Sequence, residues 1–79
     1  FNDTHASITI CPITSDVVDA RFFRITLPAG RRTGLQAASQ VMIDKVVSVP
    51  REAIGRTIGR ADDVELEIVG RALLSWLSI

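Results

Sequence analysis

A chain of 79 residues has room for one small domain, and a domain of that size buries only about 60–65 % of the surface its unfolded chain exposes. The composition, 47 % hydrophobic and 23 % charged with 5 Gly and 3 Pro, is that of a packed globule and excludes a disordered segment. One cysteine excludes an internal disulfide and a cysteine-based zinc site, and no apolar run nears the roughly 18 residues of a membrane-spanning helix. A single domain over residues 1–79 in a reducing, cytoplasmic setting is the expectation.

Nine basic residues balance nine acidic ones, which excludes nucleic-acid binding by bulk positive charge alone. The balance hides a slope. Residues 1–60 carry eight Lys or Arg against five acids, net +3, whereas residues 61–79 carry four acids against Arg71, net −3. A body able to hold a few phosphates, with an acidic segment turned away from them, is one reading of that slope; ordinary solvated surface is the other.

In chain order, residues 7–13 alternate Ile8 and Ile10 with Ser7 and Thr9, the pattern of a half-buried strand. Thr9 and Cys11 are expected on its other face. Pro12 has no N–H for a ladder bond, so the strand is at an edge or ends there, and Thr14-Ser15-Asp16 is a polar turn. Residues 22–27 form a second strand, with Phe23, Ile25 and Leu27 on one face and Phe22, Arg24 and Thr26 on the other. A flexible loop follows, with Arg31 and Arg32 at its tip.

Residues 40–49 read as a long β-branched strand, with Val41, Ile43, Val47 and Val49 on one parity. Asp44 and Lys45 interrupt it, which marks a bulge or a site. Pro50 is suited to the first position of a single helical turn closed by Gly55, and residues 56–60 read as a short strand between two arginines. Asp62 opens the one clear helix: Asp62 and Glu65 have capping-box spacing, and four acids in its first two turns suit its dipole. Ile68, Val69, Ala72, Leu73 and Trp76 form its apolar stripe.

Most catalytic signatures are absent. There is no Gly-rich phosphate loop, no nucleophile elbow and no paired histidine for a metal; the one histidine, His5, is near the chain start, and Cys11 reads as a small buried hydrophobe. Neither a metal nor a cofactor is expected. What remains is Thr14 and Ser15 at a strand end, Asp44, and the arginines. Metal-free RNA cleavage needs a group to take the 2′-hydroxyl proton, one to protonate the leaving 5′-oxygen, and donors for charge growing on phosphorus. Hydroxyls, a carboxylate and guanidiniums can fill those roles, although Thr-Ser-Asp at a strand end is by itself an ordinary turn.

The order of segments adds to this. Residues 11–15 (CPITS), 33–35 (TGL) leading into 41–46 (VMIDKV), and 54–60 (IGRTIGR) ahead of a terminal helix together resemble the MazF/PemK family of toxin endoribonucleases, over nearly the whole chain. The resemblance implies a mainly β fold with a C-terminal helix (α+β), an SH3-like β-barrel of the MazF/CcdB toxin type. It also implies a homodimer, metal-independent and sequence-specific cleavage of single-stranded RNA that stops translation and growth, and inhibition by a MazE-like antitoxin protein. The family's strand-end hydroxyl, which acts at the scissile phosphate, matches Thr14 with Ser15 adjacent, and the acid of its long strand matches Asp44. Lys45 stands where the family more often has Gln, so the resemblance does not carry the family's RNA sequence preference to this chain; Arg31, Arg32 and Lys45 are the expected RNA-binding cations, the two arginines equally suited to an acidic antitoxin.

The pattern departs at the front. Family members begin with two further strands and an Arg-Pro pair whose arginine is the main catalytic cation, and Phe1-Asn2 matches the segment just after them. The barrel is therefore expected to be incomplete at the N-terminus and inactive by itself, and Arg21, Arg24, Arg31 and Arg32 do not match that arginine's position. Two other readings belong to the same fold: a CcdB-like gyrase poison, to which residues 75–79 bear a loose likeness, and an inactive remnant that only binds antitoxin.

Overall fold

The computed structural model describes residues 6–19 and 22–78. His5 and Arg21 lie outside them. Among the described residues, five strands, two single 3-10 turns and one helix follow in order: β1 (Ser7–Ile10), β2 (Ile13–Thr14), β3 (Arg24–Leu27), β4 (Ser39–Met42), a turn at Ile43–Lys45, β5 (Val47–Pro50), a turn at Arg51–Ala53, and α1 (Asp63–Leu77). β1 pairs with β5, and β4 lies between β2 and β3 in a second sheet; every pairing is antiparallel. This is the mainly β fold with a C-terminal helix that the sequence implies, as two open sheets rather than a closed barrel among the described residues.

Two expected strands are each broken in two, and for one reason. Residues 7–14 run antiparallel to residues 40–50 as a single ribbon, but the ribbon bends where Cys11-Pro12 faces the 3-10 turn at Ile43–Lys45. Pro12 offers no N–H to continue the ladder, and only its carbonyl is used, accepting from the Met42 N–H at 2.8 Å. On the other side the turn shortens the chain, so Asp44 and Lys45 sit on a corner rather than in a continuous strand over residues 40–49. The corner also cancels the expected parity. Val41 and Ile43 are buried, whereas Val47 is exposed and pairs with Ile10 in the smaller sheet.

The core sits between β3, β4 and α1. Ile25, Leu27, Val41, Ile43 and Ala72 are buried in it, with Cys11, Phe23, Leu35, Val69 and Leu73 packed around them, so Cys11 belongs to the core side rather than the face opposite it. Burial pushes its thiol pKa up, as befits a small apolar filler. The helix stripe is narrower than its sequence spacing suggests, because Ile68 faces solvent. Trp76 is 43 % exposed but sets its ring edge-on to Phe23, centroids 4.8 Å apart.

The capping box forms as expected: Asp62 Oδ1 accepts from the Glu65 N–H at 2.7 Å and Glu65 Oε1 accepts from the Asp62 N–H at 2.8 Å. Pro50 differs from its expected role, being the extended cap before the turn at Arg51–Ala53 and not its first residue. Residues 56–60 do not form a strand. They cross the loop of residues 30–35 at backbone contact, joined by the Arg60 N–H to Arg32 carbonyl bond at 2.8 Å. Gly34 has φ +72°, and a Cβ on it would strike the Ile58 carbonyl; a Cβ on Gly59 would strike the Thr33 carbonyl. The two glycines therefore let the two segments interlock, which accounts for the TGL and IGR runs. Thr33, itself buried, closes the loop from within, its hydroxyl donating to the Pro28 carbonyl at 2.7 Å.

Candidate functional site

Antiparallel register places directly opposed residues on the same sheet face. Across the three-stranded sheet, Ile13, Val41 and Ile25 form one row, of which Val41 and Ile25 are buried in the core and Ile13 is half exposed; Thr14, Gln40 and Thr26 form the next, on the opposite face. Arg24, two residues from Thr26 on β3, shares that polar face with Met42 opposite it. The helix covers one side of the sheet, and the other collects the hydroxyls, the buried amide and Arg24.

Thr14 ends β2. Its Oγ1 accepts the Asp16 N–H at 3.0 Å, a local turn bond that leaves the hydroxyl proton to donate elsewhere. Ser15 follows on an exposed bend. Residues 15–19 then fold back over the polar face and are held by Gln40, whose Oε1 accepts the Val18 N–H at 3.0 Å and whose Nε2 donates to the Val18 carbonyl at 2.8 Å. Gln40 is 4 % exposed with both ends of its amide satisfied.

Asp44 lies at the far end of β4, roughly 10 Å from Gln40 allowing ~3.3 Å per strand residue and ~2 Å per 3-10 residue. It does not join Thr14 in one hydrogen-bonded cluster. Instead its two oxygens accept from Arg24, Nε to Oδ1 at 3.0 Å and Nη2 to Oδ2 at 3.3 Å, a two-pronged pair in which the Arg24 side chain is 14 % exposed. Those bonds hold the Asp44 carboxyl below the usual carboxylate range, so it stays ionised. Lys45, next along, is exposed and makes no ion pair among the described residues.

Of the loop arginines, Arg31 is exposed and likewise free of ion pairs among the described residues. Arg32 is committed. Its Nη1 donates to Glu65 Oε1 at 2.7 Å and to the Arg60 carbonyl at 3.1 Å, and its Nη2 donates to Glu65 Oε2 at 3.0 Å. The Glu65 carboxyl is held down in turn, first by Arg32 and then by the Asp62 N–H. Arg32 thus locks the loop onto the cap of the acidic helix.

Among the described residues no group of three or more His, Cys, Asp or Glu is placed to hold a metal ion. An apolar cleft of about 260 Å³ opens between sheet, loop and helix, bordered by Ile13, Leu35, Ile58, Leu66 and Val69. No helix is long and apolar enough to cross a membrane, among the described residues.

One pairing and one residue of this face were not legible in the sequence. Arg24 was legible, since its parity in residues 22–27 already put it on the polar face; its pairing with Asp44 was not, because it depends on the 3-10 turn. Gln40 gave no signal beyond being polar within a strand of β-branched residues.

The chain thus combines two open antiparallel sheets and a capped C-terminal helix with a polar face of hydroxyls, an arginine and a carboxylate. The chain belongs to the family described as PemK-like, MazF-like toxins of type II toxin-antitoxin systems, whose model matches residues 1–77. It is 39 % identical over 77 residues to a probable endoribonuclease MazF of Mycolicibacterium smegmatis, covering 98 % of this chain and 71 % of that protein. It is 32 % identical over 72 residues to endoribonuclease MazF9 of Mycobacterium tuberculosis, covering 91 % of this chain and 60 % of that protein. Among solved structures, the Mycobacterium tuberculosis toxin MazF-mt6 matches with TM-score 0.77 at 25 % identity, over 87 % of this chain and 67 % of that one. A second M. tuberculosis toxin structure gives 0.75 at 25 % identity, over 87 % and 72 %. An antitoxin partner and an RNA substrate come with membership of such a family.

Proposed function

We propose that the protein cleaves single-stranded RNA without a metal, by attack of a ribose 2′-hydroxyl on the adjacent phosphorus. The O2′–P bond forms as the 2′-hydroxyl gives up its proton to solvent, the P–O5′ bond breaks, and the leaving 5′-oxygen takes a proton from solvent, leaving a 2′,3′-cyclic phosphate and a free 5′-hydroxyl. The observation that carries this reading is the geometry at Thr14. Its oxygen is already occupied by the Asp16 N–H, so its proton is directed outward as a donor for a phosphate oxygen at which charge develops. Ser15 offers a second hydroxyl beside it.

In this reading Asp44 is not the proton acceptor. A carboxylate held low by Arg24 is a weak base, and its role is to fix the guanidinium on the Thr14 face with Nη1 left for a phosphate. Lys45 and Arg31 supply exposed cations along the RNA backbone, and Arg32 holds the loop that presents Arg31. The same basic loop suits the acidic tail of a MazE-like antitoxin, and action in the cytoplasm, where mRNA is, goes with the activity.

A homodimer is part of the proposal. It is supported by Ile13, Ile58 and Leu66, which border the apolar cleft and are about half exposed. The gyrase-poison alternative has less behind it, since the terminal aromatic it needs, Trp76, is packed against Phe23.

The test incubates the purified protein, extended by an upstream segment carrying an Arg-Pro pair and serving as the parent for every variant below, with single-stranded RNA in excess chelator and maps the ends. Cyclic phosphate and 5′-hydroxyl ends at a short recurring sequence support the reading. RNA left intact, or cut only after metal is restored, overturns it.

A further inference from the structure

We infer that Gln40 is a positioning residue for the Thr14 hydroxyl, acting through the loop of residues 15–19; the inference rests on the ribonuclease reading above. Three observations link in series. Gln40 lies directly across from Thr14 in the β2–β4 register, on the central strand of the sheet. Its buried amide grips Val18 at both backbone groups, accepting at 3.0 Å and donating at 2.8 Å, as a neighbouring strand would. The loop so held carries the Asp16 N–H, which occupies Thr14 Oγ1 at 3.0 Å.

That last bond decides where the Thr14 proton points. A hydroxyl rotor has one donor and chooses its direction by what its lone pairs accept. With the Asp16 N–H in place the proton is aimed away from the loop; with the loop released the rotor turns freely and the donor is no longer set before the phosphate arrives. Val17 and Val18 are 52 % and 43 % exposed, so their side chains add little burial to the loop. The amide clamps Val18 at both backbone groups, and the central strand is its rigid base. Glutamine is the residue that can do this, because only an amide offers one acceptor and one donor at the spacing of a peptide group.

The test compares Gln40→Leu and Gln40→Glu with the parent protein. Gln40→Leu removes both bonds at similar volume. Gln40→Glu keeps the acceptor for the Val18 N–H and sets a carboxylate oxygen against the Val18 carbonyl. Each rate is scaled to the folded fraction measured by Trp76 fluorescence, and hydrogen exchange at the Val18 and Asp16 amides is read in the same samples. Gln40→Leu is expected to lose protection at both amides and to lower kcat about 10- to 100-fold, as loss of pre-set geometry does, with KM little changed. Gln40→Glu should fall between it and the parent. A Gln40→Leu protein that keeps the parent kcat, or one whose kcat falls only with its folded fraction, overturns the inference. So does rapid exchange at Val18 in the parent. If the parent protects Val18 yet leaves RNA intact, the ribonuclease reading has failed while the loop clamp stands.

Discussion

Ile43→Val removes one methyl from a side chain with no solvent exposure, at the corner where β4 becomes the 3-10 turn. Ile43 is tied there twice: its N–H donates to the Phe23 carbonyl at 2.8 Å, and its side chain sits in the cluster shared by β3, β4 and Ala72 of the helix. Fully enclosed Ile→Val changes cost about 1 kcal/mol, whereas truncation to Ala costs about 2–5. A domain of this length has roughly 4–12 kcal/mol in all, from ~0.05–0.15 per residue, so Ala risks global unfolding and Val is the graded probe. The expected effect is a Tm lower by about 4–8 °C, or a urea midpoint lower by about 1 M at a slope near 1 kcal/mol/M. Trp76, the one tryptophan in the chain and 4.8 Å from Phe23, reports the helix–sheet contact in the same titration. An unchanged midpoint would refute the argument, because it would mean that the turn carrying Asp44 and Lys45 is not docked against the helix.

Gly34→Ala should destabilise by more than ~1 kcal/mol, since it forces a left-handed backbone on alanine and drives a Cβ into the Ile58 carbonyl, whereas Gly55→Ala, with open space around it, should be near neutral; equal midpoints in urea would refute the interlock of the two segments. Glu65→Gln should lower stability at neutral pH and flatten its acid limb. The Glu65 carboxyl is depressed in the folded state, so its contribution is present in full above the usual carboxylate range and is lost as pH falls from that range through the depressed value. Denaturant midpoints across that range check the sign, and a variant whose acid limb is as steep as the parent's contradicts it.

Local signals carried much of this fold. The capping box at Asp62 and Glu65, the apolar parities of residues 7–10 and 24–27, and the alternation at Val41 and Ile43 are short-range patterns, each readable from its own neighbours. What they could not show is where long-range geometry overrides them. The strand expected over residues 40–49 breaks because Pro12, thirty residues away, cannot continue the ladder, and residues 56–60 run as a crossing segment because Gly59 meets the backbone at Thr33. The site divides the same way. Thr14 was legible as a strand-end hydroxyl, but Asp44 drew attention as a charge in an apolar run without revealing that Arg24 neutralises it. Arg32 looked like a free cation from composition; only the fold brings Glu65 to it. Gln40 was silent, because a buried polar residue explains itself only through the backbone it grips.

The most direct test of the account is the single-turnover rate of RNA cleavage by Thr14→Val, an isosteric change that deletes the hydroxyl and keeps the β-branched shape. If that proton stabilises charge on the phosphate, the rate falls about 10²- to 10³-fold, as for loss of one donor to a developing oxyanion, while RNA affinity and the unfolding midpoint stay close to the parent's. A Thr14→Val protein that cleaves RNA at the parent rate would contradict the central claim.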